Sequence, residues 1–174
     1  PEKLVQPDAA VVLVLDNSGS MGRRVSTSVL TQQEIANQAA AMAAKTLAKS
    51  DLLGVIVFNS ESDVIVPLGP NTDPAKTADR ILSIAPGGGT DMGPALKLAW
   101  DQLRSARAAI KHIIVMSDGR SMGAEALPAL AQRMRAESGI TVSTIGVGDD
   151  EDSQTMGAIA ANTGGKYYQV TNPN

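Results

Sequence analysis

Side chains that carry oxygen donors recur in three separate segments of the chain. Asp16, Ser18 and Ser20 alternate along one turn, Thr90 follows a run of glycines, and Asp118 lies in the segment Ser-Asp-Gly at 117–119. Alternate residues of a turn that leaves a strand can face the same point. Hard divalent cations such as Mg²⁺ bind sets of oxygen ligands and tend to retain water. The hydroxyls add no charge and two carboxylates at most balance the ion, so if one or both carboxylates act through water, the ion can accept a further anionic ligand.

The predicted elements bring these segments to one edge of a sheet. An apolar strand at Ala9–Leu15 ends at Asp16, a strand at Ile110–Met116 runs into Asp118, and the glycine-rich segment enters a helix that ends near Arg104. In a parallel sheet, the carboxyl ends of the strands and the amino ends of the helices that follow them share one edge. The five oxygen-bearing side chains therefore converge there.

The rest of the chain alternates between strand and helix patterns. A capping box at Thr31 and Glu34 opens an Ala-rich helix that we expect to reach Lys49. The connection between the next strands is too short for a crossover helix, so this pair should be antiparallel. The remaining predicted strands lie at 52–58, 64–68, 140–147 and 166–170, and the remaining helices at 74–84, 124–137 and 152–162. The pattern predicts an α/β domain with a mainly parallel six-stranded sheet.

Composition excludes several classes of protein. The 174 residues are 43% hydrophobic, which suits one domain with its own core, but they include only 1 Trp, 2 Tyr and 1 Phe. A base-stacking or carbohydrate-stacking surface is therefore not expected. A net charge of -3 with scattered basic residues disfavours nucleic acid and anionic membranes as partners. The absence of Cys excludes a thiolate nucleophile and a Cys-ligated zinc site.

Three other features favour structural interpretations. The glycines at 87–89 lack the pattern of a phosphate-binding loop, so nucleotide binding is disfavoured. His112 should lie at the opposite end of its strand from Asp118, which favours a structural role. The acidic run at 149–152 is typical of a solvated helix cap, with a second cation site as the alternative.

The joint pattern resembles the metal-ion-dependent adhesion site of von Willebrand factor type A (vWA) domains. The resemblance rests on Asp-Asn-Ser-Gly-Ser at 16–20, Gly-Gly-Thr-Asp at 88–91 and Ser-Asp-Gly at 117–119, and it extends to the order of elements over the whole chain. It implies a doubly wound, Rossmann-like fold with one antiparallel edge strand and helices on both faces. It also implies that Ser18, Ser20 and in some states Thr90 coordinate Mg²⁺ directly, while Asp16 and Asp118 act through waters. An Asp or Glu of a partner protein would complete the coordination.

Two further segments, at 111–121 and 139–144, resemble the vWA domains of bacterial membrane-anchored proteins. The resemblance implies a membrane-anchored parent protein with this domain outside the cytoplasm. No apolar run approaches the roughly 20 residues of a membrane span, so we expect no direct membrane insertion by this segment. We expect a single domain over 1–174, with short terminal stumps at 1–8 and 171–174 and without the final helix of the family.

Residues that flank the predicted ligands are candidates for a rim that contacts the partner. Methionines could form an adaptable surface there, although Met21 could equally pack beneath its turn. Arginines could steer an acidic partner or simply be solvated. The candidates are Met21, Arg23, Arg24, Met92, Arg120 and Met122.

The function predicted from these observations is a non-enzymatic, Mg²⁺-dependent protein-interaction module, with Mn²⁺ or Ca²⁺ as substitute ions. One alternative is a metal-dependent hydrolase or phosphoryl-transfer enzyme, which would need a nucleophile or a general base beside the ion. The sequence offers only the ligand hydroxyls and Asp91 for that role. The other alternative is a scaffold whose metal site serves stability alone.

Overall fold

A six-stranded sheet forms the centre of the computed structural model, which describes residues 8–25, 29–47, 51–118, 120–148 and 152–170. Its strands follow the order β3-β2-β1-β4-β5-β6. Every neighbouring pair is parallel except β2 and β3, which confirms the predicted fold class and its antiparallel edge strand. The strands are β1 Ala9–Asp16, β2 Leu52–Phe58, β3 Ser62–Pro70, β4 Ile110–Ser117, β5 Thr141–Val147 and β6 Tyr167–Val170.

In the described part of the chain, five α-helices cover the two faces of the sheet. One face packs against α1 and α2, and the other packs against α3, α4 and α5. The helices are α1 Gln32–Thr46, α2 Pro74–Leu82, α3 Met92–Arg104, α4 Leu127–Ser138 and α5 Ser153–Ala161. Among the described residues, no helix has both the length and the apolar character that a membrane crossing requires.

The central strand β1 contributes to both cores. Val12 and Val14 lie in the core beneath α3, whereas Leu13 and Leu15 lie in the core beneath α1. All four side chains are 0% exposed. Successive side chains of a strand point to opposite faces, so an uninterrupted apolar run is what a strand covered on both faces needs. This burial fixes where β1 ends and delivers Asp16 to the edge of the sheet.

The capping box of α1 forms as predicted, but the helix ends earlier than expected. The side chain of Thr31 accepts a hydrogen bond from the backbone of Glu34, and the Glu34 side chain accepts one from the backbone of Thr31. The predicted end at Lys49 is wrong, because Leu47 leaves the helix with extended backbone angles and packs on the core. Residues 48–50 lie outside the described part of the chain.

A second correction concerns the helix expected at 124–137. The structure has a 3-10 turn at Ala124–Ala126, and α4 begins only at Leu127. Pro128 explains the break, because proline lacks a backbone N–H and is tolerated only in the first turn of an α-helix. The turn matters for the site, because it shapes the segment between Asp118 and α4.

A close approach of two backbones makes Gly165 a stability determinant. A Cβ atom at this position would lie 2.0 Å from the carbonyl oxygen of Val142 in β5. Gly165→Ala should therefore lower the free energy of unfolding by about 1–3 kcal/mol in urea denaturation. The matched control is Gly157→Ala in α5, where the added Cβ meets nothing within 4 Å. The control should be neutral or stabilising by up to about 1 kcal/mol, and equal losses in both variants would contradict this account.

His112 lies near the start of β4, as predicted, with Nδ1 2.6 Å from the Thr141 hydroxyl. Burial lowers the pKa of His112, and the contact with Thr141 opposes this effect only in part. Because the unfolded chain then binds the proton more tightly, this residue should reduce stability as pH falls through about 6.5. The melting temperature of the wild type should therefore fall relative to that of His112→Gln below that pH. An unchanged difference between the two melting temperatures from pH 8 to pH 5 would refute the prediction.

Candidate metal centre

Asp16 ends β1 with a carboxylate that is held on both oxygens. Oδ1 accepts a hydrogen bond of 2.7 Å from the backbone N–H of Ser18, and Oδ2 accepts one of 2.6 Å from the hydroxyl of Ser117. Asp16 and Ser18 are both 0% exposed. The first bond closes an Asx turn, and the second ties β1 to β4 at the edge of the sheet. The orientation of this carboxylate is therefore fixed by its own chain.

Two hydroxyls come together next to Asp16. The Oγ atoms of Ser18 and Ser20 lie 3.1 Å apart, as the alternation of the turn predicted. Adjacent corners of an octahedron with metal–oxygen distances of about 2.0–2.1 Å are separated by about 2.9 Å. The two serine oxygens thus have nearly the spacing of neighbouring ligands on one Mg²⁺ ion.

The glycine-rich loop joins this turn through backbone hydrogen bonds. Gly19 N–H donates to the carbonyl of Gly88 at 2.9 Å, and Gly87 N–H donates to the carbonyl of Asn17 at 2.8 Å. A Cβ at Gly19 would lie only 3.3 Å from the Gly88 oxygen, and Gly88 itself adopts a φ of +86°. Glycine is needed where the two loops approach so closely. Thr90 follows two residues after Gly88 and is half-buried.

Asp118 reaches the same edge from β4. It is 3% exposed, and its Oδ1 accepts a 3.0 Å hydrogen bond from the backbone N–H of Arg120. The carbonyl of Thr90 accepts a 2.9 Å bond from Met122, which links the segment after Asp118 to the glycine-rich loop. The three predicted segments are thereby connected at one place, whereas their role as metal ligands stays a prediction.

The electrostatics of the edge favour a cation. Burial raises the pKa of Asp16 from 3.8 to about 6, although hydrogen bonds from Ser117 and Ser18 act in the opposite direction. The nearby charge of Asp118 raises it further. Two neighbouring buried carboxylates are costly unless a positive charge compensates them, and a divalent ion would offset both. The all-oxygen donor set is also the type that Mg²⁺ prefers, so the residues present fit the ion.

The described residues contain no cluster of three or more His, Cys, Asp or Glu side chains suited to hold a metal ion. This agrees with a donor set in which three of the five members are hydroxyls. Gly119, between Asp118 and Arg120, lies outside the described residues. The predicted donor set has only two carboxylates and no imidazole.

The model of the von Willebrand factor type A domain family matches residues 10–174, nearly the whole chain. The chain belongs to the vWA domain family.

One sequence relative and two solved structures illustrate what this domain is similar to. YfbK, an uncharacterized protein of Escherichia coli, is 26% identical over 168 residues, which cover 93% of this chain but only 28% of YfbK. An aerotolerance-related membrane protein from Bacteroides fragilis superposes with a TM-score of 0.81 at 23% identity, covering 96% of this chain and 93% of the other. BatB from Bacteroides thetaiotaomicron gives a TM-score of 0.79 at 22% identity, covering 95% and 91%.

Two glutamines of α1 hold the backbone of the predicted ligand turn in this vWA domain, and the sequence analysis did not identify them. The side chain of Gln33 donates to the carbonyl of Asp16 at 3.1 Å, and that of Gln32 donates to the carbonyl of Ser20 at 2.9 Å. Both side chains are buried, at 2% and 6% exposure. A pair of amides at the buried start of an otherwise Ala-rich helix was the signal that could have revealed them. Their hydrogen bonds fix the backbone of the predicted ligand turn.

The predicted rim is only partly available to a partner of the vWA domain. Met21 and Met92 are both 0% exposed, so the expectation that Met92 contacts a partner is wrong, and of the two alternatives for Met21 the structure has packing in the core. Met21 packs in the core beneath α1, and Met92 packs in the core beneath α3. The other four candidates are exposed, namely Arg23, Arg24, Arg120 and Met122.

The acidic run after β5 is described only at its last residue. Asp152 caps α5, because its side chain accepts hydrogen bonds from the backbone and the hydroxyl of Thr155. This confirms the cap interpretation for Asp152, while residues 149–151 lie outside the described part of the chain.

The buried charge of Asp16 predicts a trade-off between stability and the site. Because its pKa is raised above the unfolded value, ionised Asp16 lowers the stability of the metal-free domain as pH rises from about 4 to about 6. Asp16→Asn should raise the free energy of unfolding by about 1–3 kcal/mol in EDTA at pH 7. Asp79→Asn on the exposed side of α2 is the control and should change it by less than about 0.5 kcal/mol. A lower free energy of unfolding for Asp16→Asn would contradict the conclusion that the charge of Asp16 destabilises the metal-free domain.

Proposed function

We propose that this vWA domain is a non-enzymatic, Mg²⁺-dependent protein-interaction module. vWA domains commonly mediate protein–protein interaction, and this chain matches the family over residues 10–174. In this proposal, the metal is held by Asp16, Ser18, Ser20, Thr90 and Asp118. The partner of the domain is a protein that offers an Asp or Glu to the metal. The observation that carries the proposal is the pair of serine hydroxyls, 3.1 Å apart, beside two buried carboxylates.

The hydrogen bonds of the two carboxylates support a distinction between direct ligands and ligands that act through water. Both oxygens of Asp16 already accept bonds from Ser18 and Ser117, and one oxygen of Asp118 accepts a bond from Arg120. The hydroxyls of Ser18 and Ser20 are then the direct ligands, and the carboxylates act through waters. A bound Mg²⁺ would supply a Lewis-acidic position that is not fully neutralised by its direct ligands and that suits an anionic oxygen.

The position of His112 argues against the hydrolase alternative. It is the single histidine of the chain and lies near the start of β4, whereas the metal centre lies beyond the end of that strand. A general base must come within hydrogen-bond reach of the proton that it removes, directly or through one water. His112 cannot do so, which leaves only the ligand hydroxyls and Asp91 as candidates for this role, and we therefore favour recognition over turnover.

The protein that carries this domain is proposed to be membrane-anchored, with the domain outside the cytoplasm. The resemblance of the segments at 111–121 and 139–144 to bacterial membrane-anchored vWA domains supports this. The similar fold of the membrane protein from Bacteroides fragilis is in line with it.

Metal binding and partner capture should depend on the same residues. Calorimetry should show binding of Mg²⁺ or Mn²⁺ by the wild type, and saturation should raise the melting temperature, with about 2.7 kcal/mol of stabilisation at 100 times Kd. Ser18→Ala and Asp118→Ala should weaken metal affinity at least tenfold, which lowers the stabilisation at the same metal concentration by about 1.3 kcal/mol or more. The exposed variant Asp79→Ala is the control and should behave as the wild type.

A pull-down from native extract with and without EDTA separates the proposal from a purely structural metal site. Capture by the wild type should be lost in EDTA and in Asp118→Ala. Capture that persists in EDTA while the melting temperature falls would instead support the structural alternative. Absence of metal binding by the wild type would end the proposal.

A further inference from the structure

A groove lies beside the metal centre, between the first turns of α3 and the segment that leads into α4. Its volume is about 480 Å³, enough for several side chains of a peptide. The residues that matter for its chemistry are Asp91, Pro94, Lys97, Met122, Leu130 and Arg133.

One end of this groove is continuous with the metal centre. Asp91 directly follows Thr90, and Met122 donates its backbone N–H to the carbonyl of Thr90 at 2.9 Å. The hydroxyl of Ser121 accepts a 2.8 Å bond from the backbone of Met92, which ties the two walls together. This end of the groove is therefore within reach of a chain that presents an acid to the metal.

The middle of the groove is apolar. Met122 is 68% exposed there, Leu130 is half-buried, and Pro94 is exposed on the opposite wall. Gly93 and Gly123 contribute no side chains to the lining, which leaves the groove wide at this level. An exposed methionine against a wide apolar floor suits an aliphatic side chain of a partner.

The far end of the groove is positively charged. Lys97 and Arg133 are both exposed, and among the described residues Lys97 makes no ion pair. The guanidinium of Arg133 lies over the ring of Trp100, 5.6 Å from its centre, and its contact with Glu137 joins two side chains that are 66% and 55% exposed, so this ion pair contributes little. The single acidic residue of the lining, Asp91, lies at the other end, beside the metal centre. The charge that complements the far end is therefore negative.

The helical rise sets the distance between the two ends. Six residues separate Asp91 from Lys97, which corresponds to about 9 Å along α3 at 1.5 Å per residue. A chain in the extended polyproline II conformation covers the same distance in about three residues at 3.1 Å each, and because this helix has three residues per turn, its first and fourth side chains point to the same side. A partner segment can therefore reach both ends with two acids three positions apart.

We propose that this groove selects an extended, acidic partner segment with two carboxylates three residues apart and an aliphatic residue between them. The inference rests on the proposed function, because the first carboxylate ligates the metal. The aliphatic residue packs against Met122 and Leu130, and the second carboxylate pairs with Lys97, assisted by Arg133. The groove thus adds selectivity to a metal contact that any exposed acid could make.

Short fluorescein-labelled peptides test this selectivity by anisotropy in Mg²⁺. The reference peptide carries Asp at its first position, Leu at its second and Asp at its fourth, and matched peptides replace the second Asp by Asn or Lys. Wild type should bind the diacid peptide about threefold to tenfold more tightly than the Asn peptide. Lys97→Glu should abolish this advantage and prefer the Lys peptide. Lys76→Glu on α2, on the other face of the sheet, is the matched control and should retain the wild-type preference.

Stabilisation by Mg²⁺, measured by melting temperature on the same proteins, reports the metal centre without any peptide. If Mg²⁺ stabilises wild type and Lys97→Glu equally but the second Asp gives no advantage, the groove proposal alone falls. The groove proposal is also wrong if Lys97→Glu still binds the diacid peptide more tightly than the Asn peptide, or if wild type binds the Asn or Lys peptide as tightly as the diacid peptide. It is equally wrong if no peptide binds the Mg²⁺-stabilised domain. If Mg²⁺ does not stabilise wild type, the proposed function fails, and the groove proposal with it.

Discussion

The arrangement of the site depends on one hydrogen bond, from the hydroxyl of Ser117 to the carboxylate of Asp16, 2.6 Å long and fully buried. It joins the ends of the two central strands and holds a charge that the fold has removed from water. Burial raises the pKa of Asp16 to about 6, so the metal-free fold carries an electrostatic cost at neutral pH. A divalent ion would relieve that cost, which links the stability of the domain to its proposed function.

Burial of β1 on both faces is what makes this constraint effective. Because Leu13 and Val14 are packed in opposite cores, the strand cannot shift along its axis without exposing apolar side chains. The turn after Asp16 is then held from α1 by Gln32 and Gln33. Rigid support of this kind is expected wherever ligand oxygens must keep a spacing of about 3 Å before any ion binds.

The elements were largely predictable, because their signals are local. The capping box at Thr31 and the apolar run of β1 act within a few residues, and both occur where expected. The end of α1 was not predictable, because Leu47 leaves the helix to pack on the core. Met92 was placed at the surface and the position of Met21 was left open, because a sequence position next to a ligand does not say which way the side chain points.

The sequence by itself determined the types of the elements, the oxygen-bearing residues and the edge of the sheet at which they meet. Hydrophobic periodicity and strand direction are enough for that. The tertiary structure alone decided the buried carboxylate pair, the two supporting glutamines and the groove that runs to Lys97. These features depend on how distant helices pack against the sheet, and the burial and electrostatics that result belong to the assembled fold rather than to any one segment.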